Sequence, residues 1–170
     1  MTGPGGGGGE ASSSAQKRRR RPEPSPTQRA IGLLTRREHS RLELTRKLAV
    51  RGVESVDAQA AIDKLAAAGW QDDRRFAASL VRSRAAGGYG PVYIRAELGT
   101  HALSGDAIAA ALESYEGDWA ENACDVVRRR HPAALTGDRD ARRKALDFLL
   151  RRGFAMEDAR AAIRQAVLES

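Results

Sequence analysis

Leu44 and Leu48 stand four residues apart, Gly52 and Val53 interrupt the run, and Ala58, Ile62 and Leu65 resume it at helical spacing. The same seven places recur 50 residues later as Ile94, Leu98, Ala102, Leu103, Ile108, Leu112 and Tyr115. They recur again 101 residues after the first copy, as Ala145, Leu149, Gly153, Phe154, Ala159, Ile163 and Ala166. Every aligned place is small or apolar and no gap is needed, so the chain carries an internal repeat. Each copy predicts two helices with a short break, because residues four apart share one helix face. Gly52 and Gly153 follow Arg51 and Arg152, the pattern of a left-handed glycine closing a helix whose last turn is basic. Ala102 replaces that glycine in the middle copy, which predicts a different ending there. Asp57, Asp106 and the pair Glu157–Asp158 then open the following helices, at the positive end of the helix dipole.

A third helix precedes each pair. In the first copy it is short, with Ala30, Ile31 and Leu34 after Thr27. In the second, Asp72 or Asp73 is the N-cap ahead of Phe76, Leu80 and Val81. In the third, Asp118 caps a helix carrying Trp119, Ala123, Val126 and Val127, and Pro132 stops it. The connectors that follow differ: Gly87-Gly88-Tyr89-Gly90-Pro91 in one copy, Thr136-Gly137-Asp138 in another. No short run alternates apolar and polar residues with β-branched enrichment, so no sheet is predicted. The expected fold class is all-α: an elongated, curved array of three tandem three-helix repeats at 28–69, 70–117 and 118–170. Units of this size bury little alone and must share cores with their neighbours.

Composition changes this picture only before Gln28. Six of 17 glycines and four of six prolines lie there, beside the run Lys17-Arg18-Arg19-Arg20-Arg21. With nothing apolar to bury, residues 1–27 are expected to form a disordered tail. It lacks the apolar centre of a signal peptide. Over the whole chain, 41% of residues are hydrophobic and 30% charged, which suffices for a core, while aromatics at 5% favour helices packed on small side chains. The formal charge of +7 predicts attraction to anionic partners. One cysteine, Cys124, allows no internal disulfide, and the default setting is reducing and cytoplasmic. No apolar run approaches the roughly 20 residues of a membrane span.

The search for chemistry yields little. The glycine clusters lack the strand, helix and Lys-Ser/Thr of a phosphate loop. His39, His101 and His131 are too far apart for a metal motif, and a histidine in a last helical turn is foremost a dipole partner. Cys124 sits beside the Trp119–Ala123–Val127 row and is expected to be a buried, inert thiol. Glu43–Lys47 and Asp147–Arg151 have the i,i+4 spacing of exposed helix pairs. The chain is therefore expected to be no enzyme, with no catalytic, cofactor-binding or metal-binding residue. The remaining signal is basic: Arg36-Arg37, Arg128-Arg129-Arg130, Arg142-Arg143-Lys144 and Arg151-Arg152. The middle repeat nevertheless has five basic against six acidic residues. Such a distribution suits a protein partner at least as well as bare duplex, and a solvated, salt-bridged surface equally for most of these residues.

Arg36-Arg37-Glu38-His39-Ser40, followed by Glu43-Leu44 and Leu48, resembles the opening motif of the RecX family, regulators of the bacterial recombinase RecA. Asp73-Arg74-Arg75-Phe76-Ala77, then Arg84, Gly88, Gly90-Pro91, Ile94 and Leu98, resembles its second motif, and Arg152-Gly153-Phe154 its closing one. The similarity runs from Gln28 to Ser170; the glycine- and arginine-rich tail lies outside it. The resemblance implies a non-catalytic, monomeric regulator that binds RecA filaments on single-stranded DNA and limits ATP hydrolysis, strand exchange and co-protease activity in DNA repair and the SOS response. Binding to bare single-stranded or duplex DNA would be weak. Arg46, Arg51, Arg142, Arg143 and Arg151, near helix ends, are the candidate residues to meet acidic filament surface or DNA. The alternative is an autonomous DNA-binding helical protein. That reading requires Arg, Asn or Gln at the N-terminus of one recognition helix, and those places hold Asp57, Asp106 and Glu157.

Overall fold

Side-chain caps decide where the helices begin. In a computed structural model, which describes residues 22–169, α1 (Pro26–Leu34) starts behind a reciprocal cap. Ser25 Oγ accepts from the Gln28 N–H at 3.2 Å, and Gln28 Oε1 accepts from the Ser25 N–H at 2.9 Å. The helix thus begins ahead of Thr27, and residues 26 and 27 belong to it rather than to the tail. The expectation of disorder for residues 1–21 lies outside the described residues. Ser40 caps α2 (Arg41–Val50) by accepting from the Glu43 N–H, and α3 (Ser55–Ala67) completes the first module.

The second module is α4 (Asp73–Ala86), α5 (Pro91–Gly99) and α6 (Gly105–Glu113). Asp72, not Asp73, caps α4, accepting from the N–H groups of Arg74 and Arg75. The third comprises α7 (Trp119–Arg130), α8 (Arg139–Arg151) and α9 (Met156–Leu168), with a 3-10 turn over Pro132–Thr136 between α7 and α8. Asp118 and Asp138 cap α7 and α8. No strand occurs among the described residues.

Each module encloses its own apolar cluster. The repeat register explains which residues enter it. The places of Leu44, Leu48, Ala58 and Ile62 are buried in all three copies. In the third module, Ala159, Ala162 and Ala166 line the inner side of α9, small enough to bring it close to α7. Cys124 is fully buried there and its Sγ donates to the Ala162 carbonyl at 3.3 Å. Burial pushes its thiol pKa upward, as an inert thiol requires.

The breaks between paired helices repeat as well. Gly52 and Gly153 adopt φ of +75° and +84°, and the next residue closes the turn: Val53 N–H to Leu48 O, and Phe154 N–H to Leu149 O, both 3.1 Å. Ala102 takes the same left-handed conformation, with φ +59°, despite its Cβ. Its turn lacks the equivalent closing bond from Leu103 and is held by Ala102 N–H to Gly99 O at 3.2 Å. The middle ending therefore differs in its hydrogen bonding but not in its backbone sign.

Candidate partner-binding surface

The first motif singled out in the sequence turns inward. His39 and Ser40 are buried where the first module meets the second. Ser40 Oγ lies 2.9 Å from His101 Nδ1, while the His101 ring packs on Phe76 with centroids 4.7 Å apart. Asp73, freed from capping, accepts from the Arg41 N–H at 2.9 Å and from Gln71 Nε2 at 2.8 Å. Gln71 also donates to the His39 carbonyl, and Arg75 pairs with Glu38 across the same junction. His101 is therefore a link between modules rather than a dipole partner of its helix.

Beside this junction, Arg37 holds Glu43 with both terminal guanidinium nitrogens, and His39 Nδ1 lies 3.0 Å from Glu43 Oε2. Burial alone would raise the Glu43 pKa, but the hydrogen bonds from Arg37 and the close approach of His39 outweigh it and the carboxyl titrates below its ordinary range. His39 is lowered, chiefly by burial, against the opposing pull of Glu43. Glu43 does reach Lys47 at 3.6 Å, yet it belongs mainly to this inner group. Asp147 and Arg151, by contrast, form no ion pair among the described residues.

The second junction is built on backbone. Gly90 N–H donates to Arg152 O at 2.8 Å and Val92 N–H to Gly153 O at 3.0 Å. A Cβ on Gly90 would come within 2.4 Å of the Gly153 oxygen, and one on Gly153 within 2.3 Å of the Tyr93 nitrogen. Glycine at both places is what allows the chains to touch. Arg152 completes the joint: its guanidinium lies 4.4 Å from the Tyr89 ring centroid and 5.0 Å from that of Phe148, and donates to the Gly87 carbonyl. The connector glycines and the closing Arg-Gly-Phe of the sequence motifs are thus two halves of one contact.

With these residues accounted for, the candidate cations can be placed. Arg46 and Arg151 are exposed and make no ion pair among the described residues. Arg51 is exposed, and its guanidinium folds back onto the Lys47 carbonyl at 2.9 Å. Arg143 is 71% exposed beside Asp140, and so remains available to a partner. Arg142 is half-buried, spending Nε on the Ala134 carbonyl at 3.2 Å and leaving its terminal nitrogens for other work. The five do not form one cluster: Arg46 and Arg51 lie on the first module, the others on the third. Arg142 and Arg143 share a cleft with Arg160 and Arg164, which the sequence reading missed because it followed runs of consecutive basic residues. Spacing of four along a helix was the signal that could have found them. Among the described residues no group of His, Cys, Asp or Glu is arranged to hold a metal ion, and no helix is long and apolar enough to cross a membrane.

Three descriptions of family domains match in order: "RecX, first three-helix domain" over residues 27–65, the second over 72–112 and the third over 116–163. A protein of Stenotrophomonas maltophilia (strain K279a) named "Regulatory protein RecX" is 63% identical over 142 residues, covering 84% of this chain and 87% of that one. One of the same name from Xanthomonas axonopodis pv. citri is 60% identical over the same length, covering 84% of this chain and 88% of its own. The crystal structure of RecX from Lactobacillus salivarius superposes with a TM-score of 0.70 at 22% identity, over 84% of this chain and 95% of that one, and confirms the fold. Three family domains in sequence order, and relatives this similar over most of their length, establish that the chain belongs to the RecX family.

Proposed function

We propose that this protein is a non-catalytic, monomeric regulator of the cytoplasm that binds the RecA recombinase filament on single-stranded DNA and restrains its ATP hydrolysis, strand exchange and co-protease activity. The observation that carries this reading is the division of charge along the array. Exposed cations stand on the first module (Arg46, Arg51) and the third (Arg143, Arg151, beside the half-buried Arg142), while the middle module has more acidic than basic residues. A filament offers a repeating protein surface together with phosphates, so a chain of tethered modules can touch several protomers at once. Tethering raises the effective concentration of each later contact, and weak contacts add up. Bare DNA binding would then be weak and salt-sensitive, since few phosphates meet a continuous basic stripe. Regulatory naming among the relatives supports the coarse role.

The test is the DNA-dependent ATPase rate of the cognate RecA with this protein added below one copy per protomer. A steep fall at low ratio is expected. An unchanged rate, with binding to bare DNA intact, would overturn the filament reading in favour of an autonomous DNA-binding protein.

A further inference from the structure

The three modules repeat in sequence, so a difference between equivalent places is informative. In the first module Arg41 on α2 forms an ion pair with Asp63 on α3, and Gln59 Nε2 supports the same carboxylate at 2.9 Å. Moved by the 101-residue repeat, Arg41 becomes Arg142, Gln59 becomes Arg160 and Asp63 becomes Arg164. The bridge that neutralises the groove between paired helices in the first module is thus replaced in the third by three guanidinium groups. None of the three has an ion pair among the described residues, and no acidic residue lines this groove.

The floor between these cations is aliphatic. Leu146 on α8 and Ile163 on α9 lie at its centre, and Leu168, 86% exposed, extends it to the end of α9. Two adjoining clefts of about 300 and 270 Å³ share Arg142, Ile163 and Arg164. An apolar strip edged by guanidinium groups matches a helix with carboxylates beside aliphatic anchors. Guanidinium groups pair with carboxylates in a two-pronged geometry, and an aliphatic floor rewards leucine or isoleucine. Single-stranded nucleic acid would supply the negative charge but asks for aromatic faces on which bases stack, and this groove has none. We infer that the α8–α9 groove of the third module is a docking site for an acidic, aliphatic amphipathic helix of a partner protein. The inference is independent of the filament reading, because it concerns the chemistry of the ligand rather than its owner.

The test uses the full chain and a labelled synthetic peptide with leucines at i, i+3, i+4 and i+7 and glutamates on the flanking places. A scrambled peptide of the same composition and a labelled oligothymidylate serve as comparison ligands, with binding followed by fluorescence anisotropy. The informative variant is Arg164→Asp, which restores the pairing that the first module already tolerates and so keeps the fold. A second variant, Leu168→Ser, changes an exposed side chain without altering charge. The expected result is binding of the ordered peptide, at least about tenfold weaker in Arg164→Asp and weakened in Leu168→Ser, with unfolding midpoints maintained. Equal binding of ordered and scrambled peptides, or indifference to Arg164→Asp, would overturn the inference. So would a groove that loses the oligothymidylate and not the peptide when Arg164 is reversed. Measuring recombinase inhibition with the same variants separates the two readings. Inhibition without peptide binding overturns the groove alone, whereas peptide binding without inhibition overturns the filament reading alone.

Discussion

His39 belongs to the opening motif, and it is buried at a joint between modules rather than offered to a partner. Its neighbours in sequence are charged, and only the fold places it under the second module, 3% exposed and facing Glu43, with Arg37 and Lys47 close by. Burial disfavours the imidazolium and the two cations oppose it further; Glu43 pulls the other way without reversing the result. The unfolded chain takes up a proton near the ordinary histidine value of about 6.5, whereas the folded chain resists until lower pH. Between those two points the unfolded state binds more protons, so stability falls as the pH falls. Glu43, whose pKa is also lowered, adds a loss in the same direction at still more acid pH, below the ordinary carboxylate range. We expect the thermal midpoint to decline from pH 7 to 5.5 and His39→Gln to flatten part of that slope, with His131, lowered by burial and then by Arg151, retaining a share. The expected size is on the order of 1 kcal/mol for each unit by which the folded pKa is depressed. An NMR titration placing His39 at or above its ordinary value would sink the argument.

The helices themselves were legible, because each is specified locally. The core places of α2, α5 and α8 follow from one repeated pattern, and Asp118 announces α7 by its own chemistry. One local signal was misjudged, because the Ser25–Gln28 cap was hidden by the proline-rich context before it. The different ending expected at Ala102 is found in the hydrogen bonding but not in the backbone, which stays left-handed. The joints were not legible, because Ser40 finds His101 61 residues away and the Gly90 N–H finds the Arg152 carbonyl 62 residues away, with no local trace of either pairing. Gly52 and Gly153 look equivalent in sequence yet do different jobs. A Cβ at Gly52 meets nothing within 4 Å, so Gly52→Ala costs only the left-handed strain, about 1 kcal/mol after the gain from a less flexible unfolded chain. A Cβ at Gly153 strikes backbone of Tyr93, and Gly153→Ala should cost at least about 2 kcal/mol more by prising the third module from the second. Urea unfolding of both variants measures the difference, and hydrogen exchange at Gly90 and Val92 should report the opened joint. Equal costs would show that the close approach is not needed.

At the scale of the molecule, the arrangement follows from how few elements cross between modules. The first and third modules share no hydrogen bond or ion pair among the described residues; each is joined only to the second. The three apolar clusters are distinct, with Trp119 of α7 packing against that of the second module, so neighbours share only an edge and no central core draws the ends together. The charge pattern proposed to meet a filament depends on this, since folding the ends onto one another would bring cation against cation. A globular chain of 148 residues, the length of 22–169, has a radius of gyration of about 15 Å. Small-angle scattering from the chain shortened to begin at Pro22 should give a clearly larger value and a pair-distance distribution with a long tail. The shortening leaves the Ser25 cap in place, so helical content should match that of the full chain. If the shortened chain keeps its helices and still scatters as a sphere, the modules close on one another in solution. The separated cationic ends could then no longer reach successive protomers, and the filament reading would lose its physical basis.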